Sequence, residues 1–89
     1  MPNTVALDRQ AEKFLEKLSD QRLYIRLREQ LKSLVDHPFP QGSKRLTNTD
    51  HLYRLRVGDY RIVYQFFPQQ AAIKVLLIDH RKNVYRKLP

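Results

Sequence analysis

The sequence predicts an α+β fold: an N-terminal helix hairpin packed on one face of a small, mainly antiparallel β-sheet, in the order β-α-α-β-β-β. Three observations lead there. Apolar positions between Leu7 and Val35 recur at helical spacing, from His51 onward the period drops to 2, and a turn-rich stretch at 38–50 separates the two regimes. With 89 residues there is no room for a second domain, so 1–89 reads as one unit.

Residues 3–7 (NTVAL) suit a short strand. Asp8 then serves as an N-cap, with Glu12 in the first turn to complement the helix dipole. Leu7, Ala11, Phe14, Leu15 and Leu18 mark an amphipathic helix over 8–18. Ser19 or Asp20 caps a second helix, whose stripe is Leu23, Leu27, Leu31, Leu34 and Val35 and whose outer face carries Arg22, Arg26, Arg28, Glu29 and Lys32. It ends at His37-Pro38, because the residue before proline resists the helical conformation. So short a connection makes the helices antiparallel. The stretch 38–50 (PFPQGSKRLTNTD) reads as a loop.

Two strands follow, Leu52–Val57 and Tyr60–Phe67, joined by Gly58-Asp59, a two-residue turn with glycine where a type II′ hairpin requires it. After the turn Pro68-Gln69-Gln70, the nearly continuous apolar run Ala71–Asp79 reads as a strand buried on both faces and central in the sheet. A basic tail, His80 to Pro89, closes the chain.

Composition narrows the function. The absence of cysteine excludes a disulfide scaffold and thiolate metal sites and suits a reducing cytosol. No apolar run approaches the roughly 18 residues of a membrane span, and Met1-Pro2-Asn3-Thr4 lacks the layout of a signal peptide, so a cytoplasmic location without membrane attachment is expected. The formal charge of +8 predicts a polyanionic partner, and it is lopsided: residues 1–40 carry +1 and residues 41–89 carry +7.

The hairpin turn locates that charge. A two-residue loop pairs Val57 with Tyr60, Arg56 with Arg61, Leu55 with Ile62, Arg54 with Val63 and Tyr53 with Tyr64. Tyr53, Leu55, Val57, Tyr60, Ile62 and Tyr64 therefore share the face that takes the helices, and Arg54, Arg56 and Arg61 share the other, with no acid or lysine expected among them. An Arg opposite an Arg costs up to about 1 kcal/mol unless an anion sits between them, and the guanidinium fork suits a phosphate. A solvated outer sheet face is the plainer reading of the same residues. His37, His51 and His80 have no metal-ligand spacing, so no metal or other cofactor is assigned. His37 suits a helix end and His51 a strand start, while His80, beside Arg81 and five residues before Tyr85, is read equally as a surface or a site residue. Tyr53, Tyr60 and Tyr64 read as core rather than as stacking platforms.

Lys44-Arg45-Leu46, the stretch YRLRVGDYRIVY at 53–64, and IDHRKNVY at 78–85 resemble the RelE toxins, a group of the RelE/ParE superfamily of toxin–antitoxin systems; the resemblance spans nearly the whole chain. It implies a ribosome-dependent mRNA endonuclease that cuts the codon in the ribosomal A site and is restrained by a cognate acidic, RelB-like antitoxin. Its motif positions fall on Arg54, Arg56, Arg61, Arg81 and Tyr85, with Lys44, Arg45, Lys82 and Arg86 as flanking RNA contacts. The best-known RelE proteins carry lysines at the positions of Arg54 and Arg56, and two more residues before the tyrosine. RNA is cut without a metal when its 2′-OH attacks the adjacent phosphate, which takes a base, cations around the phosphorus and an acid for the leaving oxygen. Arginine hardly trades a proton, so proton transfer is expected of His80, Tyr85 or the ribosome itself. Two other readings share this sequence: a ParE-like inhibitor of DNA gyrase and a non-catalytic RNA-binding domain.

Overall fold

The computed structural model describes residues 2–47 and 49–87; Met1, Asn48, Leu88 and Pro89, which belong to the expected start, loop and tail, lie outside the described residues. The chain runs β1 (Thr4–Leu7), α1 (Arg9–Lys17), α2 (Gln21–Ser33), β2 (Ser43–Arg45), β3 (Leu52–Val57), β4 (Tyr60–Phe67) and β5 (Ala72–His80), with short 3₁₀ turns at Pro68–Gln70 and Val84–Lys87. The five strands form one sheet in the order β1-β5-β4-β3-β2. β1 lies parallel to β5 and every other pairing is antiparallel. The expected α+β class and helix hairpin are present, and β5 is an interior strand between β1 and β4, with β4 the middle one of the five.

Both helices start on the expected caps. The Asp8 carboxylate accepts from the N–H of Arg9 at 3.0 Å and that of Asp20 from Leu23 at 3.1 Å, satisfying donors that a helix leaves unpaired. The second helix closes at Ser33, sooner than His37-Pro38 suggests, and leaves through turns that end with the His37 N–H on the Ser33 carbonyl. Ala11 and Leu15 of α1 and Leu27 and Leu31 of α2 bury against Leu55, Val57, Ile62, Tyr64, Ile73, Val75 and Ile78. That apolar layer fixes which side of the sheet is dry.

The loop at 38–50 contains a strand the sequence does not announce. Ser43–Arg45 has no apolar alternation, and it pairs with β3, Lys44 opposite Arg54 and Arg45 opposite Tyr53. Gly42, at φ +95°, makes the entry that an L side chain would resist, and its carbonyl takes the Arg56 N–H at 3.1 Å.

Between β4 and β5 the register slips at Val63/Tyr64, leaving Leu76 as an extra residue. Leu76 and Leu77 therefore both reach the far side of the sheet. There Leu77 and Val63 form a second, smaller core with the buried Val84, flanked by Leu46, Leu52 and Leu76. Through Val84 the C-terminal 3₁₀ turn is pinned onto the sheet face opposite the helices.

Candidate functional site

The β3–β4 register is the one the turn dictates, residue for residue, from Val57↔Tyr60 to Tyr53↔Tyr64. Gly58 has φ +59° and Asp59 does not have positive φ, as a type II′ turn requires. Arg54, Arg56 and Arg61 thus share the face away from the helices. Lys44 joins them, because it pairs with Arg54. The expectation of no lysine on this face fails for the reason that hid β2: three polar residues carry no strand signal. Arg45, one residue on, turns to the helix side opposite Tyr53.

The expectation of no acid among the arginines also fails. Asp79 of β5 pairs with Arg61, and opposite charges across a ladder offset part of the Arg56–Arg61 repulsion. Yet the two do not form an ion pair. Arg61 folds back over the hairpin, its guanidinium donating to the carbonyls of Gly58 and Tyr60, both at 3.0 Å. The Asp79 side chain, 11% exposed, is engaged by Lys87 instead. Burial pushes the Asp79 carboxyl up, but the Lys87 hydrogen bond, the His80 backbone N–H, the Lys87 charge and the Asn83 side chain together hold it below its ordinary value.

Arg81 reaches the same corner. Its N–H donates to the Asp59 carbonyl at 2.8 Å, and its guanidinium stands 4.0 Å from the Asp59 carboxylate, both side chains well exposed. The α2 residue Arg26 arrives from the other side: its guanidinium lies 3.3 Å from where a Cβ on Gly58 would stand. The sequence assigned Arg26 to a solvated helix face. Only the packing of α2 against β3 brings it to the hairpin tip.

Tyr85 is 48% exposed on the 3₁₀ turn that Val84 anchors to this side of the sheet, with exposed Arg86 next to it. His80 goes elsewhere. It pairs with Tyr60, its ring 5.2 Å edge-on from the Tyr60 ring, which in turn packs against Phe14 of α1. Its Nδ1 accepts the Lys82 N–H at 3.2 Å. His80 therefore closes β5 on the helix side, apart from Arg54, Arg56 and Arg61, and strand parity is the reason. Lys82 is exposed in the turn beyond it.

The aromatic residues sort as core. Tyr64 is fully buried, stacks on Tyr53 at 5.7 Å and donates its hydroxyl to the Pro38 carbonyl at 2.7 Å. Burial pushes that hydroxyl up to about 12, further raised by Tyr53 against a lowering hydrogen bond with Ser43, so it holds its proton as a structural donor. No group of three or more His, Asp or Glu among the described residues is placed to hold a metal ion, and no helix among them is long and apolar enough to cross a membrane.

In sum of charge, one sheet face presents Lys44, Arg54, Arg56 and Arg61, bordered by Arg81 at the hairpin tip and by the turn that bears Tyr85. Such a face can bind the phosphates of a polyanion, and the phenol at its margin can stack on a base or donate a proton. A family model described as "ParE toxin of type II toxin-antitoxin system, parDE" matches residues 5–85. Toxin RelG of Mycobacterium tuberculosis is 26% identical over 87 residues, spanning 98% of this chain and 100% of that relative. Among solved structures, a chain of the archaeal RelE–RelB complex from Pyrococcus horikoshii OT3 is 31% identical, with a TM-score of 0.78 over 91% of this chain and 97% of that one. A chain of the toxin–antitoxin complex RelBE2 from Mycobacterium tuberculosis is 26% identical, with a TM-score of 0.76 over 91% of this chain and 100% of its own.

Proposed function

The chain belongs to the ParE toxin family of type II toxin–antitoxin systems, within the RelE/ParE superfamily, and from that premise we propose that it is a ribosome-dependent mRNA endonuclease that stops translation in the cytoplasm. The observation that supports this reading most is the grouping of Lys44, Arg54, Arg56 and Arg61 on the sheet face opposite the helices, with the Tyr85 turn at its margin.

In this reading A-site mRNA lies along the basic face. The 2′-OH of one nucleotide attacks the adjacent phosphate, the bond to the 5′-oxygen breaks, and the products are a 2′,3′-cyclic phosphate and a 5′-OH. Arg54, Arg56 and Arg61 spread cationic charge around the five-coordinate phosphorus as its negative charge builds. Arg81, Lys44, Lys82 and Arg86 hold the flanking phosphates. Tyr85 donates its phenolic proton to the departing 5′-oxygen. The 2′-OH proton is left to a base on the ribosome side of the mRNA. His80, on the helix side, shapes the strand end and takes no part in proton transfer.

The partner follows from the same charge. Relatives from Pyrococcus horikoshii and Mycobacterium tuberculosis were solved as toxin–antitoxin complexes. A chain of net +8 calls for an acidic, RelB-like antitoxin that orders as it binds, with an affinity that weakens as salt rises.

The ParE name of the family model favours one competing reading, inhibition of DNA gyrase. Two assays side by side decide. The purified protein is given ribosomes primed with a defined mRNA, and separately DNA gyrase with relaxed plasmid. Cleavage confined to ribosome-bound mRNA, with supercoiling untouched, is the expected result. Loss of supercoiling with intact mRNA replaces this reading by the gyrase one, and loss of neither leaves a non-catalytic RNA-binding domain.

A further inference from the structure

The acid that strand register places on the arginine face is not spent on the arginines. Asp79 Oδ1 accepts the backbone N–H of His80 at 2.7 Å, and Oδ2 accepts from the Lys87 ammonium. Those contacts fall at the start and the end of the segment 80–87. Between them the backbone closes its own turns, Asn83 N–H on the His80 carbonyl at 2.9 Å and Arg86 N–H on the Asn83 carbonyl at 3.1 Å. Val84 plugs the small core beneath. C-terminal to Val84, the Lys87–Asp79 pair ties the segment back to the sheet, and Tyr85 and Arg86 lie between these two anchors.

We infer that Asp79 is a positioning residue: with Lys87 it clamps the C-terminal turn to the sheet, so that Tyr85 and Arg86 stand at the margin of the arginine face. The clamp has a second consequence. A carboxylate across the ladder from Arg61 is a competitor for that guanidinium and would repel a phosphate. Lys87 occupies Asp79 and leaves the Arg61 guanidinium on the hairpin carbonyls. The far end of the tail and the availability of Arg61 are thus set by one ion pair, largely shielded on the Asp79 side.

The clamp itself does not depend on the endonuclease reading; its effect on cleavage does. The test therefore has two arms. In the free protein, amide hydrogen exchange is followed at Asn83 and Arg86 in Asp79→Asn, Lys87→Gln and Lys87→Arg. Loss of a charge-assisted hydrogen bond should speed exchange at Arg86 by about tenfold in Lys87→Gln and in Asp79→Asn, with the helices and β4 still protected, and Lys87→Arg should restore protection. Unchanged exchange in Lys87→Gln, in a protein that melts as the parent does, overturns the clamp. In the second arm, single-turnover cleavage on primed ribosomes is measured at saturating and limiting concentrations. Positioning predicts about a tenfold slower cleavage step with ribosome affinity unchanged, regained in Lys87→Arg. If the parent cuts no mRNA, the endonuclease reading fails and the exchange arm still decides the clamp. If the parent cuts, and Lys87→Gln frees the tail yet cuts at the parental rate, the positioning role is overturned.

Discussion

Arg61→Ala separates the arginine face as a phosphate site from the arginine face as ordinary solvated surface. The side chain is half-buried, makes two hydrogen bonds to carbonyls of its own hairpin, and stands across the ladder from Arg56 on one side and Asp79 on the other. Truncation forfeits the two hydrogen bonds, worth about 0.5 kcal/mol each at the low end because the freed carbonyls at the hairpin tip can turn to water. It also removes one repulsive and one attractive cross-strand pair, each of about 0.2–1 kcal/mol and of opposite sign. The net cost is about 1 kcal/mol, a fall in melting temperature of about 4–8 °C for a domain of this size. On primed ribosomes the same change removes a charge-assisted contact to the phosphate, worth about 1.5–3 kcal/mol, so cleavage should drop by about 10- to 150-fold. Circular dichroism melting and single-turnover mRNA cleavage, run on one preparation, give both numbers. A folded variant that cuts at the parental rate would refute the phosphate role of this face.

Substitutions in the framework around Arg61 should separate stability from cleavage. Val84→Ala should open a small cavity under the C-terminal turn and cost about 1–2 kcal/mol in denaturant unfolding, while slowing cleavage more than a surface change of equal stability cost; equal effects from both would detach the turn from function. Tyr64→Phe leaves the Pro38 carbonyl without its donor and should cost about 1–3 kcal/mol by the same measurement, with the cleavage rate unaltered. Asp79 sets an acid limit. Its folded carboxyl titrates below the unfolded value of about 3.9, so its contribution to stability is complete above that pH and is lost as pH falls through the folded value. Melting curves from pH 6 to pH 2 should therefore decline less steeply for Asp79→Asn than for the parent, and parallel curves would remove Asp79 from the acid response.

Much of the site was legible because one turn governs it. Gly58-Asp59 admits a single register, and that register puts Tyr53, Leu55 and Ile62 under the helices and the three arginines outside. Where legibility failed, the cause was a register no local residue announces. β5 joins β4 through a 3₁₀ turn closed by Ala71 in the left-handed region, φ 49°, and then a bulge at Leu76, so parity could not be counted across to Asp79 or His80. Proximity in sequence made His80 look like a neighbour of the site through Arg81; strand parity sends the two residues to different places. Lys44 was hidden differently. Its strand is held by backbone pairing to an edge, which leaves no hydrophobic trace. Arg26 depended on how the second helix crosses the hairpin, a matter of tertiary packing.

The chemistry of the cut ends tests whether a phosphodiester of ribosome-bound mRNA is broken by its own 2′-OH on the basic sheet face. A primed ribosome carrying end-labelled mRNA is incubated with the protein, and the fragments are resolved before and after treatment with a kinase and a phosphatase. One cut at the A-site codon is expected, leaving a 2′,3′-cyclic phosphate and a 5′-OH, and almost no cut when Arg54, Arg56 and Arg61 are replaced together by alanine. Intact mRNA on stalled ribosomes, or fragments ending in 3′-OH and 5′-phosphate, would contradict it.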